Sequence, residues 1–256
     1  MTMSAFIKEI ATKQRVDLIV FPELATTGFE NGVHFTNLAQ RVPGPVVNVL
    51  AQRAADYGVY ILFGMPIKKK VESILYNGVV LVGPDGDIYG DYHKVHLKGD
   101  ERLPFREGFK YRVFETGFGQ LGVMIGWDLA YPEVARTLAL EGAEVICCLA
   151  NWEQTDMNRW RTLTAARAIE NACYMVAVNR VGEDITLSYG GDTAIIDPYG
   201  EVIASMYDHV DEESQEPLDG FCVATIDLAK VRAAREETQC FQTRQPDTYR
   251  ALVRRY

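Results

Sequence analysis

The feature that most constrains the fold is a set of three apolar, strand-like segments with a helical segment between each pair. The apolar segments are Leu121 to Ile125, Val145 to Leu149 and Tyr174 to Val178. Between them, residues 132–141 and about 157–171 have the composition and spacing of helices. Two strands joined by a helix lie parallel in one sheet, because a parallel pair needs a long crossover connection. The pattern therefore predicts an α/β fold.

Hairpins flank this parallel unit. Two pairs of strand-like runs surround Gly- and Pro-containing turns, which favour a reversal of the chain. The predicted hairpin strands are 76–82 with 87–92 and 192–196 with 201–205, further strands are predicted at 16–21, 59–64 and 221–226, and further helices at 46–57 and 228–237. Hairpins mixed with helical crossovers indicate a mixed sheet, or two sheets packed face to face with helices outside.

Composition narrows the class of protein. A chain of 256 residues with 48% hydrophobic residues can bury a large core, so we expect one domain over residues 1–256. The net charge of -9 has the wrong sign for binding nucleic acid or an anionic membrane. No apolar run approaches the roughly 18 residues of a transmembrane helix, and the first residues lack a signal-peptide core. We therefore expect a cytoplasmic protein. The acidic stretch 208–216 is interpreted as a solvated loop.

The cysteines and histidines do not predict a disulfide framework or a metal site. The five cysteines are odd in number, and Cys147, Cys148 and Cys173 lie in apolar runs, which is typical of buried reduced thiols. Neighbouring Cys147 and Cys148 would point to opposite faces of a strand, so a zinc site cannot be built from that pair alone. His93 and His96 have no third ligand nearby, which favours a structural role.

Three charged residues are candidates for chemistry. Glu23 directly follows an apolar strand, where a rigid backbone would hold a catalytic base, although a solvated or helix-capping acid is equally consistent. Lys94 follows a predicted hairpin and Glu101 comes seven residues later, and each alone is a weak signal. Arg167 and Glu170, three apart on a predicted helix, are interpreted as a structural ion pair.

The segment LGVMIGWDLAYPE contains a strand that breaks at Gly126 and restarts as a helix near Pro132. A strand-to-helix elbow presents one residue at the sheet edge, beside backbone N–H groups that can hold an oxyanion. The alternative is a glycine chosen only for a tight turn.

Taken together, the segments resemble the nitrilase superfamily of carbon-nitrogen hydrolases from about Val16 to the C-terminus. The order and spacing of the matching pieces make the resemblance specific. These pieces are DLIVFPEL, YHKVHL, DERLPFREG, GVMIGWDLAYPEVARTLALEGAEVI, ARAIENACYMVAVNRVG and GDTAIIDPYGEVIA. The resemblance implies a single four-layer α-β-β-α sandwich.

The resemblance also implies a catalytic set of Glu, Lys and Cys with a second Glu. By motif, Glu23 is the general base, Lys94 the cation that stabilises the oxyanion and Glu101 the second, positioning carboxylate. In the implied mechanism a thiolate attacks an amide or nitrile carbon, and water releases the acid from the thioester or thioimidate. No metal or cofactor is implied.

The chain departs from the family pattern at two places. Gly126 stands where the pattern has the cysteine nucleophile, and no other cysteine occupies a matching position. The family's first strand has no counterpart ahead of the first helix. We expect the glycine to leave a small void at the elbow.

Two explanations fit the glycine: a hydrolase whose nucleophile was deleted, or a natural pseudoenzyme that keeps the pocket for ligand binding or assembly. Retention of the charged cluster favours the first, since burying charges without a use is costly. The resemblance favours a small or medium aliphatic amide, or an N-carbamoyl compound, over a nitrile. By position, Trp127, Trp152 and Phe29 are candidate pocket walls, with a core role as the alternative for both tryptophans.

The resemblance also implies a homodimer or larger assembly through the helices at Pro132 and Arg161 and the tail 241–256.

Overall fold

The computed structural model describes residues 2–70, 74–207 and 209–254. Its helices and strands follow one another in an order that alternates hairpins with helical crossovers. The helices are α1 Met3–Lys13, α2 Phe35–Leu38, α3 Pro45–Tyr57, α4 Pro132–Leu140, α5 Met157–Asn171 and α6 Leu228–Thr238. The strands are β1 Leu18–Val20, β2 Tyr60–Lys68, β3 Leu75–Val82, β4 Ile88–His93, β5 Arg112–Thr116, β6 Gly119–Ile125, β7 Val145–Ala150, β8 Tyr174–Asn179, β9 Val181–Glu183, β10 Ser188–Gly190, β11 Ala194–Ile196 and β12 Val202–Ser205.

The first sheet has four strands in the order β1-β2-β3-β4. β1 pairs with β2 in parallel, while β2, β3 and β4 form an antiparallel meander. The turn after β3 is the predicted Gly83-Pro84-Asp85-Gly86 reversal, in which Gly86 has a φ of +81° that favours glycine. This hairpin brings the residues that follow β4 back beside the start of β3.

The second sheet has six strands in the order β12-β11-β8-β7-β6-β5. β6, β7 and β8 are parallel, and α4 and α5 connect them. The predicted strand-helix-strand-helix-strand unit is therefore confirmed. The short hairpin of β9 and β10 was not predicted from the sequence.

The two sheets face each other across a shared core, and helices cover their outer faces. Leu62 and Leu81 of the first sheet lie with Val123 and Leu149 of the second in one buried cluster. The opposite face of the first sheet packs against α1 and α3, and that of the second packs against α4 and α5. Alternate residues of a strand point to opposite faces, so the fully apolar strands serve both layers. The four-layer α-β-β-α sandwich is confirmed.

One predicted strand is absent. Residues 221–226 belong to no strand, because within the described part of the chain no backbone segment pairs with them. The acidic stretch forms a turn closed by a bridge between Val210 and Pro217, and Asp208 lies outside the described residues. No helix in the described ranges has the length and apolar composition needed to cross a bilayer.

Candidate active site

Glu23 lies just past the end of β1, where the chain turns sharply. The parallel pairing continues beyond β1, because the Phe21 N–H donates to the Leu62 carbonyl at 2.9 Å and the Gly64 N–H donates to the Pro22 carbonyl at 3.2 Å. Leu24, which is fully buried, has a φ of +47°. Rigid pairing on one side and the tight turn on the other hold the Glu23 backbone in place.

Gly64 permits this close approach of β2 to the Glu23 turn. A Cβ at position 64 would lie 2.6 Å from the Pro22 carbonyl oxygen and 2.8 Å from the Glu23 carbonyl carbon, and it would also contact the Leu24 backbone nitrogen. Each of these neighbours is backbone, which cannot rotate away.

We expect Gly64→Ala to lower the free energy of unfolding by about 1–3 kcal/mol, as overpacking of a close contact does. Chemical denaturation measures this change. Gly117→Ala is the matched control, because its Cβ would meet only the Tyr60 hydroxyl at an ordinary 3.5 Å. Equal stability of the two variants would contradict the prediction.

Lys94 lies between two carboxylates. It directly follows β4, and its Nζ donates to Glu23 Oε1 at 2.8 Å and to Glu101 Oε1 at 2.6 Å. Glu101 sits in the single helical turn Gly99–Arg102, and its Oε2 accepts from the Lys98 N–H at 2.8 Å. Glu23 and Lys94 are each 2% exposed and Glu101 is 6% exposed. The three side chains therefore form one buried charged cluster.

Two asparagines complete the cluster, and sequence reasoning missed both. The Asn77 amide nitrogen donates to Glu23 Oε1 at 2.6 Å and to Glu101 Oε1 at 3.1 Å. The Asn151 backbone N–H donates to Glu23 Oε2 at 2.9 Å. For Asn77 a usable signal existed, since a polar residue inside an apolar strand of 75–82 is rare without a partner.

Burial and charge set the titration of this cluster. Burial raises the pKa of Glu23, Lys94 opposes that rise, and Glu101 adds to it. Burial alone would lower the pKa of Lys94, but the attraction of Glu23 and Glu101 outweighs it and raises that pKa. Lys94 therefore keeps its proton, and Glu23 accepts a proton more readily than an exposed glutamate.

Gly126 opens the elbow between β6 and α4. It is buried, has a φ of +47° and begins the short helical segment Gly126–Ala130. Asp128 fixes this segment, because its Oδ2 accepts from the Tyr92 hydroxyl at 2.6 Å and from the Ile125 N–H at 3.1 Å. Its Oδ1 accepts from the His96 N–H at 2.9 Å. Asp128 thus ties the elbow to the segment that carries Lys94.

The prediction of a void beside Gly126 is wrong. An ideal Cβ built on Gly126 would lie 2.6 Å from Glu23 Oε2 and 2.9 Å from Lys94 Nζ. Those distances are shorter than an ordinary carbon contact, so the carboxylate and the ammonium already occupy the space beside the glycine. The physical reason is their mutual attraction, which holds both groups against the bare backbone.

The cysteines are reduced, and three of them are fully buried. Cys147 and Cys148 lie on β7, and burial raises the pKa of both thiols. Burial also raises the pKa of Cys173 to about 12. Thiols in this state are poor nucleophiles.

The three residues predicted to be pocket walls lie in two different parts of the structure. The Trp127 and Trp152 rings stack with their centroids 5.4 Å apart, and Lys98 Nζ lies 4.6 Å from the Trp127 ring centroid. Trp152 is 5% exposed and belongs to the core beneath α4 and α5, whereas Trp127 is half-buried. Phe29 packs on a separate small apolar cluster and meets the Tyr189 ring edge to face.

A charged clamp holds the Phe29 loop. Asp184 accepts from the Phe29 N–H at 2.9 Å and the Glu30 N–H at 3.2 Å, and Arg180 contacts both of its oxygens at 2.7 and 2.8 Å. Burial opposes ionisation, but these donors outweigh it and lower the pKa of Asp184 to about 2 from its ordinary 3.8. The clamp therefore stabilises the fold only while Asp184 is ionised.

We expect Asp184→Asn to lower the free energy of unfolding by about 1.5–3 kcal/mol at pH 7, the range for hydrogen bonds to charged groups. Because the folded pKa of Asp184 is depressed, its contribution is present above about pH 4 and is lost as the pH falls towards 2. Denaturant unfolding at pH 7, 5 and 3 measures the difference, with Glu183→Gln as the control. A difference that stays constant over this range would count against the clamp.

The two histidines and one pair of charged residues were predicted to have structural roles. His93 Nε2 lies 2.8 Å from Asp91 and His96 Nδ1 lies 2.9 Å from Asp128, so both histidines have structural partners. The predicted ion pair of Arg167 with Glu170 is present at 3.1 Å.

The chain resembles known proteins along most of its length. The sequence profile of the carbon-nitrogen hydrolase family matches residues 1–236. A nitrilase of Pyrococcus abyssi is 41% identical over 249 residues, which cover 95% of this chain and 89% of the relative. The 2-oxoglutaramate amidase of Bacillus subtilis is 31% identical, covering 92% and 88%. The N-carbamoylputrescine amidase of Arabidopsis thaliana is 29% identical, covering 82% and 73%.

The fold matches as well. The crystal structure of a carbon-nitrogen hydrolase from Helicobacter pylori superposes with a TM-score of 0.88 at 24% identity, covering 98% of this chain and 91% of the other. The family match over residues 1–236 and the layered fold agree, and the chain belongs to the carbon-nitrogen hydrolase family.

Proposed function

We propose that this chain carries an amidase-type site for a small non-peptide amide or N-carbamoyl compound, in which Gly126 stands in place of the nucleophile. The observation that supports this most is the position of Lys94. Its Nζ donates to both Glu23 and Glu101 and lies 2.9 Å from the point where a Cβ on residue 126 would be.

The proposed roles follow from charge and proton affinity. Lys94 and a backbone N–H of the elbow stabilise the negative oxygen that forms when the amide carbon is attacked. Glu23, with its raised pKa, takes the proton of the attacking group and returns it to the leaving nitrogen. Glu101 holds Lys94 in position. Without a thiol at residue 126, no thioester forms.

The proposed substrate class comes from the relatives. Two of the amidases compared above act, by name, on 2-oxoglutaramate and N-carbamoylputrescine, which are an amide and a carbamoyl compound. We propose the same bond type here, in preference to a nitrile. Trp127, Trp152 and Phe29 are the proposed substrate-binding walls.

The alternative is a pseudoenzyme that binds a ligand or supports assembly. The close approach of Glu23 and Lys94 to Gly126 favours it, since an elbow already filled by charged groups needs no thiol to be stable. The hydrolase and the pseudoenzyme proposals predict different results for Gly126→Cys. Only the hydrolase proposal predicts that this variant hydrolyses substrate.

Substitution of Asn151 provides a test of whether the unmodified protein binds a ligand at this site. Both side-chain polar atoms of Asn151 are buried and meet no hydrogen-bond partner in the described residues, which is costly unless a ligand supplies one. Titration of acetamide, N-carbamoyl amines and acetonitrile, followed by NMR, measures binding to the unmodified chain and to Asn151→Leu.

We expect Asn151→Leu to bind amides about ten-fold more weakly or worse while unfolding at the same or a higher temperature, because it removes unpaired buried polar atoms. Glu133→Gln, on an exposed helical turn, is the control. Unchanged amide binding by Asn151→Leu would contradict the role of this site in binding.

We propose a homodimer or larger assembly through α4, α5 and the tail, of which residues 241–254 are described. Apolar side chains are exposed on these elements, with Leu140 46%, Ile169 51% and Leu252 64% exposed. Covering such side chains is a common reason for self-association. Light scattering at micromolar concentration is expected to give at least twice the monomer mass, and Ile169→Asp is expected to reduce it. A monomer would contradict the proposal.

A cytoplasmic location remains a proposal, supported by five reduced cysteines. That residues 1–256 form one folding unit also remains a prediction. A single calorimetric unfolding transition would support it.

A further inference from the structure

The two carboxylate oxygens of Glu23 have different partners. Oε1 accepts from Lys94 Nζ and from the Asn77 amide nitrogen, whereas Oε2 accepts from the Asn151 backbone N–H at 2.9 Å. Oε2 is also the oxygen that lies 2.6 Å from an ideal Cβ on Gly126. The Asn151 N–H therefore bonds to the oxygen that faces residue 126.

Asn151 lies where the regular pairing of β7 with β8 ends. β7 ends at Ala150 and β8 ends at Asn179, and these two residues are partners in the parallel register. One more main-chain bond follows, in which the Arg180 N–H donates to the Ala150 carbonyl at 3.2 Å. The peptide group between residues 150 and 151 thus has its carbonyl bonded to Arg180 and its N–H bonded to Glu23.

The Asn179 side chain continues the pairing where the main chain of β8 ends. Its Oδ1 accepts from the Trp152 N–H at 2.6 Å, and its Nδ2 donates to the Trp152 carbonyl at 3.2 Å. The Gly190 N–H reaches the same carbonyl at a longer 3.4 Å. A carboxamide offers both an acceptor and a donor, as a peptide group does. Asn179 therefore pairs with the Trp152 backbone as a strand residue would.

The Asn179 residue is itself held in place. It is 4% exposed, its backbone N–H donates to Thr193 Oγ1 at 3.1 Å, and the Thr193 hydroxyl donates to its carbonyl at 3.3 Å. Buried polar groups are costly to leave unpaired, so rotation of the carboxamide away from Trp152 is disfavoured.

From these contacts we propose that Asn179 is a positioning residue for Glu23. Its carboxamide fixes the Trp152 backbone, which sets the direction of the Asn151 N–H one residue earlier, and that N–H directs Glu23 Oε2 towards residue 126. A donor to a carboxylate stabilises the ionised form and so lowers its pKa. Loss of the Asn179 carboxamide is therefore expected to raise the pKa of Glu23.

The hold of Asn179 on Glu23 is independent of hydrolysis, whereas its effect on proton transfer rests on the proposed function. The two parts need separate measurements, one on the chain with Gly126 and one on the chain with Gly126→Cys.

The first measurement is the titration of Glu23 in the chain with Gly126. Asn179→Leu keeps the side-chain volume and removes both the donor and the acceptor. Carbon-13 NMR of the glutamate carboxyl groups, with the Glu23 signal assigned through Glu23→Gln, is expected to give a higher pKa of Glu23 in Asn179→Leu than in the unmodified chain. Asn179→Ala makes the same prediction and replaces Asn179→Leu where the latter does not fold, because the space it leaves can admit water.

Thr193→Val is the matched control. It keeps the shape of the side chain, removes both hydroxyl bonds to the Asn179 backbone and leaves the bonds of the carboxamide to Trp152 in place. Both variants are expected to unfold at a lower temperature, because each loses buried hydrogen bonds. Only Asn179→Leu is expected to change the pKa of Glu23.

The second measurement is amide hydrolysis by the Gly126→Cys chain with and without Asn179→Leu. We expect Asn179→Leu to lower kcat about ten-fold or more and to change KM by less than about three-fold, since the contact it removes orients the base rather than the substrate. The acidic limb of the pH profile should move to higher pH, because a base with a raised pKa loses its proton later. Thr193→Val is expected to change kcat by less than about two-fold.

Three results would overturn the role of Asn179. They are an unchanged or lower pKa of Glu23 in the Asn179 variants, equal changes of that pKa in Asn179→Leu and Thr193→Val, and an active Gly126→Cys chain whose kcat Asn179→Leu leaves unchanged. If the Gly126→Cys chain hydrolyses no amide, the proposed function fails, and the titration of Glu23 decides the role of Asn179 by itself.

Discussion

Gly126→Cys is expected to release ammonia from small amides at a rate at least about 10³-fold above that of the unmodified chain. The reason is that Glu23, Lys94 and Glu101 already surround position 126, and loss of a nucleophile commonly costs several orders of magnitude in rate. Ammonia release over a panel of amides, carbamoyl compounds and nitriles measures the gain. Mass spectrometry of the trapped thioester identifies the route.

The same substitution is expected to destabilise the fold. A φ of +47° disfavours any side chain, and the new Cβ would press on Glu23 Oε2 and Lys94 Nζ at 2.6 and 2.9 Å. We expect the free energy of unfolding to fall by about 1–3 kcal/mol, the usual cost of such a backbone conformation. Gly126→Ala is the matched control, because it carries the same strain and no thiol.

The pair of variants separates the two proposals for function. Hydrolysis by the cysteine form alone, abolished by thiol alkylation, would support a hydrolase with a deleted nucleophile. Folded cysteine and alanine forms that both bind amides and hydrolyse none would support a pseudoenzyme. Equal, alkylation-insensitive activity of the glycine and cysteine forms would show that another nucleophile operates and would contradict the assignment.

Lys94→Met is expected to lower the free energy of unfolding by about 3–5 kcal/mol at pH 8, because it leaves two buried carboxylates without their cation. Burial and Glu101 both raise the pKa of Glu23, and Lys94 is the charge that opposes them. In the variant the folded Glu23 carboxyl holds its proton more tightly than the same carboxyl in the unfolded chain, whose ordinary pKa is 4.5. Stability should therefore fall as the pH rises from about 5 to 8. Urea unfolding across this range measures both effects.

The matched control adds Glu23→Gln and Glu101→Gln to Lys94→Met, which removes the charges and keeps the volumes. We expect the triple variant to recover most of the lost stability and to lose the dependence on pH, since neutral amides bear a much smaller desolvation cost. A triple variant as unstable as Lys94→Met would show that packing, rather than charge, accounts for the effect.

Much of the fold was predictable from the sequence because its signals are local. Helix α5, Met157–Asn171, was predicted at its observed bounds, and the parallel unit of β6, β7 and β8 follows from two helical crossovers between apolar runs. The segment 221–226 was predicted as a strand and is not one. Its residues have strand propensity, but a strand also requires a pairing partner, which propensity does not report.

The residues of the candidate site likewise divide into those that were predicted from the sequence and those that were not. Glu23, Lys94, Glu101 and Gly126 were found through their motifs, each of which is a short stretch of neighbouring residues. Asn77 and Asn151 were missed, because their importance lies in contacts with Glu23 from 54 and 128 positions away in the chain.

The amino-acid sequence was sufficient to predict the layered α/β class, to identify the residues of the charged cluster and to show that residue 126 carries no thiol. Tertiary contacts alone determine that Glu23 and Lys94 lie against Gly126 instead of leaving a void, and that residues 221–226 pair with no strand in the described chain. Both outcomes depend on distances between segments remote in sequence. Those distances arise from the balance of ion pairing, burial and strand pairing across the whole fold, which no local pattern records.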